Sequence, residues 1–504
     1  MFFQNFKYLC MWPKKIIFEA IFSLFLILIA FIGFAQNQHE KLPNILLFHA
    51  DDMTWRDCGS YGNPDVITPQ ISKLAEEGMC FDNMHNTTAM CAPTRMMLYS
   101  GLYPVRNGAY PNHSMVYSGV KSLVHYFNNL DYRVALIGKV HHEPFRSFPF
   151  EFLGGRHHDD GNGVDIHLER IKPLLQQDNP FFLVVSSNQP HTPWNRGPVN
   201  QYNKDEIEVP DYLIDSEKTR EDLVKYYAEI TYTDSLLGVC MNYLEEAGKA
   251  DNTIVIFTSE QGSSFPFAKW TCYDLGLKTA FIVKWPEKIE PETRNSALTQ
   301  YVDVLPTLLD AVGKDPESIN TGITDSHGKS DFDGKSFLSV LLGEKQTHRE
   351  YVFGLQTTRG IFSGSICFPV RSVRSNRYKY IVNLNSGSNF YNLVVTRTGG
   401  IYQQWLAKTL GNERRHEYVT KYQVRPKEEL YDVKNDPFEM HNLVNVEDLE
   451  TVKNELKNEL FKWMKQQGDK GIETEMNALK RQVPEKKESW MGYEEEQNNQ
   501  IFQN

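Results

Sequence analysis

With 504 residues, 41% of them hydrophobic and 12% aromatic, the chain can build one large α/β domain and a smaller one, which excludes a disordered protein. A formal net charge of −11 excludes the broad basic field that attracts phosphates, so no nucleic-acid partner is expected. An anionic substrate would have to be received by a few local cations.

Lys14, Lys15 and Glu19 precede an uncharged apolar run over residues 20–35, and Gly33-Phe34-Ala35 places small residues where a signal peptidase reads. The run is somewhat short for a spanning helix. The expectation is a signal peptide over 1–35, export to the periplasm or medium, and no stable membrane insertion after cleavage. An uncleaved anchor is the weaker alternative. Cleavage would remove Lys7, Lys14, Lys15 and Glu19, moving the formal charge from −11 to −13. It would also remove Cys10, one of seven cysteines; the other six show no CxxC pairs or close repeats, so neither a disulfide scaffold nor a zinc site is indicated.

Residues 44–50 form an apolar run that ends on Asp51-Asp52, the pattern of a buried strand delivering two carboxylates at its C-terminal end. Paired carboxylates there suit a hard divalent cation such as Ca²⁺ or Mg²⁺; the plainer alternative is a turn with a helix cap. Thr68-Pro69 opens a helix that stops at Gly78. Cys91-Ala-Pro-Thr-Arg95 follows, with no helix breaker between Pro93 and Gly101, which predicts a short helix with Cys91 just before its N-terminus. Such a position favours an anion or an anionic nucleophile, and Arg95 adds a flat fork of donors one turn in. By frequency alone, a lone cysteine there is a buried apolar residue.

Three more apolar runs end on chemistry. Residues 132–138 lead into Lys139 and His141, which in an extended segment point the same way. Residues 180–187 lead into His191, set between Pro190 and Pro193. Residues 252–259 lead into Glu260-Gln261, with Lys269 further on. Each has an ordinary structural alternative as surface charge or loop. A helix is predicted at about 220–248, antiparallel strands over 370–382 and a closing helix near 448–467.

Together these residues resemble the sulfatase family. C-x-P-x-R is similar to its signature, whose cysteine a separate formylglycine-generating enzyme oxidises to Cα-formylglycine (3-oxoalanine). The strand with Asp51-Asp52, the Thr-Pro helix, Lys139 and His141, the Pro-His-x-Pro around His191 and the Glu429–Glu439 stretch follow in family order, covering roughly residues 44–445. The resemblance implies an alkaline-phosphatase-like α/β fold, a large mixed sheet sandwiched by helices, with a smaller C-terminal α+β subdomain on an antiparallel sheet. The boundaries are 40–365 for the catalytic domain, 366–470 for the subdomain and 471–504 for a polar tail. It also implies one Ca²⁺ held by Asp51, Asp52, residue 91, Glu260 and Gln261. Arg95, Lys139, His141, His191 and Lys269 would serve the sulfate, the leaving group and the second hydroxyl of the hydrated aldehyde. Two features depart from the pattern: the family usually has Asp followed by Asn or His at 260–261, and its heparan N-sulfatase branch has Arg where Lys269 stands.

The run around 259–270 is nevertheless most similar to that branch. The substrate expected is a sulfated oligo- or polysaccharide, ulvan-type ahead of N-sulfoglucosamine. A metal-dependent phosphohydrolase of the same superfold and a non-catalytic glycan-binding protein are the rivals.

Overall fold

The apolar runs at 44, 132, 180 and 253 become neighbouring strands of one sheet. In the computed structural model, which describes residues 41–156, 165–408 and 411–485, the strands in chain order are β1 (Asn44–Ala50), β2 (Met79–Phe81), β3 (Met84–His85), β4 (Arg133–Lys139), β5 (Glu151–Arg156), β6 (Phe181–Ser186), β7 (Thr253–Ser259), β8 (Phe281–Lys284), β9 (Thr293–Asn295) and β10 (Thr299–Gln300). The expected signal segment 1–35 lies outside the described residues. The eight-stranded sheet has the order β5-β4-β6-β1-β7-β8-β2-β9. Its central strands β4, β6, β1 and β7 are parallel and in register, pairing Gly138 and His49 with Ser186, and Ala50 with Ser259. The residues after those strands therefore emerge along one edge. β8 runs antiparallel to β7 and β2, so the sheet is mixed.

The central strands are buried on both faces, which is why they are continuously apolar rather than alternating. Leu46, Phe48, Val255 and Phe257 face one core, with helices α1 (Pro69–Glu76) and α3 (Glu217–Glu246). Their neighbours Ile45, Leu47, Ile254 and Ile256 face the other, which contains Met96 and Met97 of α2 (Cys91–Ser100). The period of two splits each strand between two layers of helix. α3 starts earlier than 220 because Ser216 caps it, its side chain accepting from the Thr219 N–H at 3.2 Å.

A second, antiparallel sheet has the order β11-β12-β13-β14, formed by Val352–Gln356, Val370–Arg374, Tyr378–Asn383 and Glu428–Asp432. It begins ahead of residue 366. Val373, Tyr380 and Leu430 pack in the same core as Leu456, Leu460 and Trp463 of α4 (Glu450–Gln467). Beyond α4 the chain forms α5 (Ile472–Met476) and returns to the loop at 112–115. There Gln482 Nε2 donates to the Asn112 carbonyl at 2.8 Å, and the Val483 N–H donates to the His113 carbonyl at 3.0 Å. The six described cysteines are all free thiols. No helix among the described residues is long and apolar enough to cross a membrane.

Candidate active site

α2 begins at Cys91 itself, with Met90 as its N-cap in extended conformation, one residue earlier than the position of Pro93 suggests. It ends at Gly101, whose φ of 67° takes the left-handed turn and whose N–H donates to the Met97 carbonyl at 2.9 Å. Cys91 is 2% exposed and forms the floor of a cavity of about 190 Å³, lined also by Asn112, His113, His191, Lys269 and Trp270. Burial first, then the Glu260 carboxylate, push its thiol well above the usual range.

Asp51 and Asp52 leave β1 beneath it. Cys91 Sγ lies 3.8 Å from Asp51 Oδ1 and 3.4 Å from Gln261 Nε2. One donor atom each from Asp51, Asp52, Cys91 and Glu260 lies within 4.8 Å of the others, a cluster compact enough for one metal ion. Asp52 adopts a φ of 61°, a left-handed conformation that Asp tolerates better than most residues, and this turns its carboxylate toward the cluster. It accepts from Gln261 Nε2 at 2.6 Å, Lys269 Nζ at 2.7 Å and Ser264 Oγ at 3.0 Å.

Each acid has its own cation. Lys139 Nζ donates to Asp51; burial pushes the Asp51 carboxyl up, but Lys139 and the other cations hold it well below the usual range. Arg95 Nε meets Glu260 Oε1, both side chains fully buried. Burial and the nearby Asp51 push Glu260 up against the pull of Arg95. Arg95 Nη1 donates to the Lys139 carbonyl and the Ser186 hydroxyl, tying α2 to the ends of β4 and β6. Arg95 and Lys139 thus lie below the cavity, whereas Lys269 and His191 line it. Three carboxylates face three cations.

His191 is 16% exposed, with Nδ1 donating to the Thr192 carbonyl at 2.7 Å and Nε2 3.5 Å from Asp52 Oδ2. His141 departs from the sequence reading. Its φ of 40° ends the extended segment, so Lys139 and His141 do not project from one strand face. Instead His141 Nε2 is 2.9 Å from His113 Nδ1, and His113 is the member of this pair that lines the cavity.

A family model described as Sulfatase matches residues 43–314. An ulvan-active sulfatase of Formosa agariphila is 34% identical over 442 residues, covering 85% of this chain and 81% of that protein. The chain belongs to the sulfatase family. It is therefore a sulfuric ester hydrolase. The human N-sulphoglucosamine sulphohydrolase is 28% identical over 463 residues, covering 83% of this sulfatase and 89% of its own length. A solved structure, titled as a complex with its substrate D-glucosamine-2-N,6-O-disulfate, shares the fold with a TM-score of 0.61 at 20% identity; the match covers 86% of this chain and 99% of that one.

Sequence reasoning missed His113, Asn112, Ser264 and Trp270. All four reach this sulfatase's cavity from loops without periodicity, and only the short spacing of Ser264 and Trp270 from Lys269 hinted at any of them. Asn112 Oδ1 and Trp270 Nε1 are buried at the cavity and have no hydrogen-bond partner among the described residues. Buried polar atoms in that state are costly, so a ligand that pairs them gains their release from that cost. A larger hollow of about 870 Å³, around His416, Glu429 and Tyr431, contains none of these residues.

Proposed function

We propose that this sulfatase is an exported enzyme removing sulfate esters from a sulfated carbohydrate, ulvan-type oligosaccharides ahead of N-sulfoglucosamine, with formylglycine made from Cys91 by a maturation enzyme and one bound Ca²⁺. The observation that carries the chemistry is the convergence of Asp51, Asp52 and Glu260 on Cys91, which lines the cavity. The higher identity to the Formosa enzyme than to the human one supports the order of substrates.

The donor set suits calcium. Asp51, Asp52 and Glu260 offer carboxylate oxygens, and Gln261 Oε1 is buried with no hydrogen-bond partner among the described residues. Gln261 Nε2 faces Asp52, Glu260 and Cys91. Amide orientation is assigned from hydrogen bonds, and a turned amide places its oxygen among those acceptors. Held by these residues, Ca²⁺ would supply Lewis-acid stabilisation of a nucleophilic oxygen and of the sulfate. Formylglycine, as its hydrate, would supply that oxygen and a second hydroxyl for release of sulfate.

The protein's own groups do the rest. With the three acids already balanced by Arg95, Lys139 and Lys269, a dication together with a protonated His191 leaves a positive surplus that matches an anionic sulfate. Lys269 and His191 meet the sulfate in the cavity, while Arg95 and Lys139 act from beneath by fixing Glu260 and Asp51. Because His191 Nδ1 gives its proton to a carbonyl and Nε2 faces Asp52, a doubly protonated ring fits both contacts. It is then set to donate from Nε2 to the departing oxygen. The His113–His141 pair takes up the proton when the second hydroxyl collapses to the aldehyde.

The test is sulfate release by protein carrying the aldehyde at 91. Ulvan oligosaccharides should release sulfate, N-sulfoglucosamine less or none, and Cys91→Ala should release none while keeping its circular dichroism spectrum. Silence on every sulfated carbohydrate, or phosphatase activity from unmodified Cys91, would overturn the reading.

A further inference from the structure

The cavity above Cys91 continues past the residues already described. Thr192, Ser264, Val394 and Arg397 line both it and an adjoining second hollow of about 390 Å³. One wall of that hollow is aromatic: Trp194 stacks on Phe265, with ring centroids 5.4 Å apart and planes 19° apart. Another is the face of α3 that carries Lys218, Asp222 and Lys225. These three recur at helical spacing, so they project together.

The charges of this hollow are unequal. Lys218 is paired with Asp222, the one acidic residue lining it among the described residues. Lys225 and Arg397 are exposed and have no side-chain hydrogen bond or ion pair among the described residues. A chain of net charge −11 thus presents two uncommitted cations at the mouth of its own catalytic cavity. Scattered surface lysines are ordinary, but these two line one groove, beside an aromatic wall, and Arg397 lines both hollows. An aromatic wall with a few placed polar groups suits a sugar ring, and the guanidinium fork fits a carboxylate or a sulfate through two parallel hydrogen bonds.

We propose that the second hollow is a subsite for the sugar adjoining the one that loses its sulfate, and that it selects a sugar bearing its own anionic group, carboxylate or sulfate, gripped by Arg397 with Lys225 beside it. This rests on the carbohydrate sulfatase reading above. The enzyme's substrate is then a polyanionic chain rather than an isolated sulfated monosaccharide. Asn112 Oδ1 and Trp270 Nε1 remain as partners for the sulfated ring itself.

Calorimetric titration of the full chain with unmodified Cys91, which does not turn over, reads the subsite directly. Three sulfated disaccharides are compared: one whose second ring carries a carboxylate, the same with that carboxyl reduced to an alcohol, and one whose second ring carries a sulfate instead. The wild type should bind at least one acidic form about tenfold more tightly than the reduced form, and the better of the two names the group. Arg397→Ala should lose most of that preference, Lys225→Ala part of it, and both should keep the affinity for the reduced disaccharide. Equal binding of acidic and reduced forms by the wild type, or equal weakening of all three by Arg397→Ala, overturns the proposal. Sulfate release by the aldehyde-bearing enzyme is measured separately; its failure on all three disaccharides counts against the carbohydrate reading, whatever the titration shows of the groove.

Discussion

Replacing His113 tests whether the two histidines act as one unit. His113 Nδ1 and His141 Nε2 are 2.9 Å apart, and His141 is only 2% exposed, so little solvent is at hand to replace the contact. When the pair takes up a proton, this becomes a hydrogen bond to a charged group, worth about 1.5–3 kcal/mol. At 1.36 kcal/mol per factor of ten, its loss lowers kcat roughly ten- to hundredfold. KM should hold, because Lys269 and His191 are untouched. His141→Ala removes the buried member of the proposed proton-accepting pair and should cost about 10²–10⁴. If His113 works through His141, the double variant is no slower than His141→Ala. His113 has a φ of 53°, where alanine is strained, so His113→Asn is the better control: asparagine tolerates that conformation and its amide occupies nearly the place of Nδ1. The assay is steady-state hydrolysis of an aryl sulfate from pH 6 to 9 by protein with the aldehyde confirmed, beside thermal melting. Losses that add in the double variant, or a rise in KM with kcat unchanged, would refute the reasoning.

Removing calcium with a chelator should abolish sulfate release and lower the melting temperature, and added Ca²⁺ should restore both; a melt indifferent to the chelator would contradict the assigned ligands. Arg95→Met leaves Glu260 buried without its cation and should destabilise the fold by about 3–5 kcal/mol in urea, with a loss under 1 kcal/mol counting against the pairing. Burial pushes the carboxyls of Asp57 and Asp234 up to about 6, above the ordinary value near 4. Between those values the native chain binds more protons than the unfolded one, so stability rises as pH falls through about 6. Asp57 should therefore add about 1 kcal/mol of stability at pH 5.5 relative to pH 7.5, read as the difference between wild type and Asp57→Asn in how melting changes with pH; an identical pH dependence in the two proteins would exclude this.

The four central strands were legible because burial on both faces makes each an unbroken apolar run, and because each run stops on ionisable residues. The pattern put Asp51, Lys139 and Glu260 each at a strand end; the resemblance to sulfatases put them in one site, and parallel pairing of the strands brings their ends to one edge. The partnership of Arg95 with Glu260 was not legible. It depends on a longer carboxylate reaching beneath α2, and side-chain reach leaves no trace in spacing. His141 was misplaced because periodicity assumes extended backbone, and at this residue the backbone turns left-handed. His113 and Arg397 escaped altogether. The loop carrying His113 is braced by Gln482 and Val483, about 370 residues away, and such long-range contacts have no local signature.

The most direct measurement takes preparations in which the aldehyde at residue 91 ranges from none to complete, quantified by peptide mass, and follows sulfate release from each. Release should rise in proportion to the aldehyde and extrapolate to zero where Cys91 is unmodified. Sulfate release that persists with the thiol intact would contradict the assignment of residue 91 as the nucleophile.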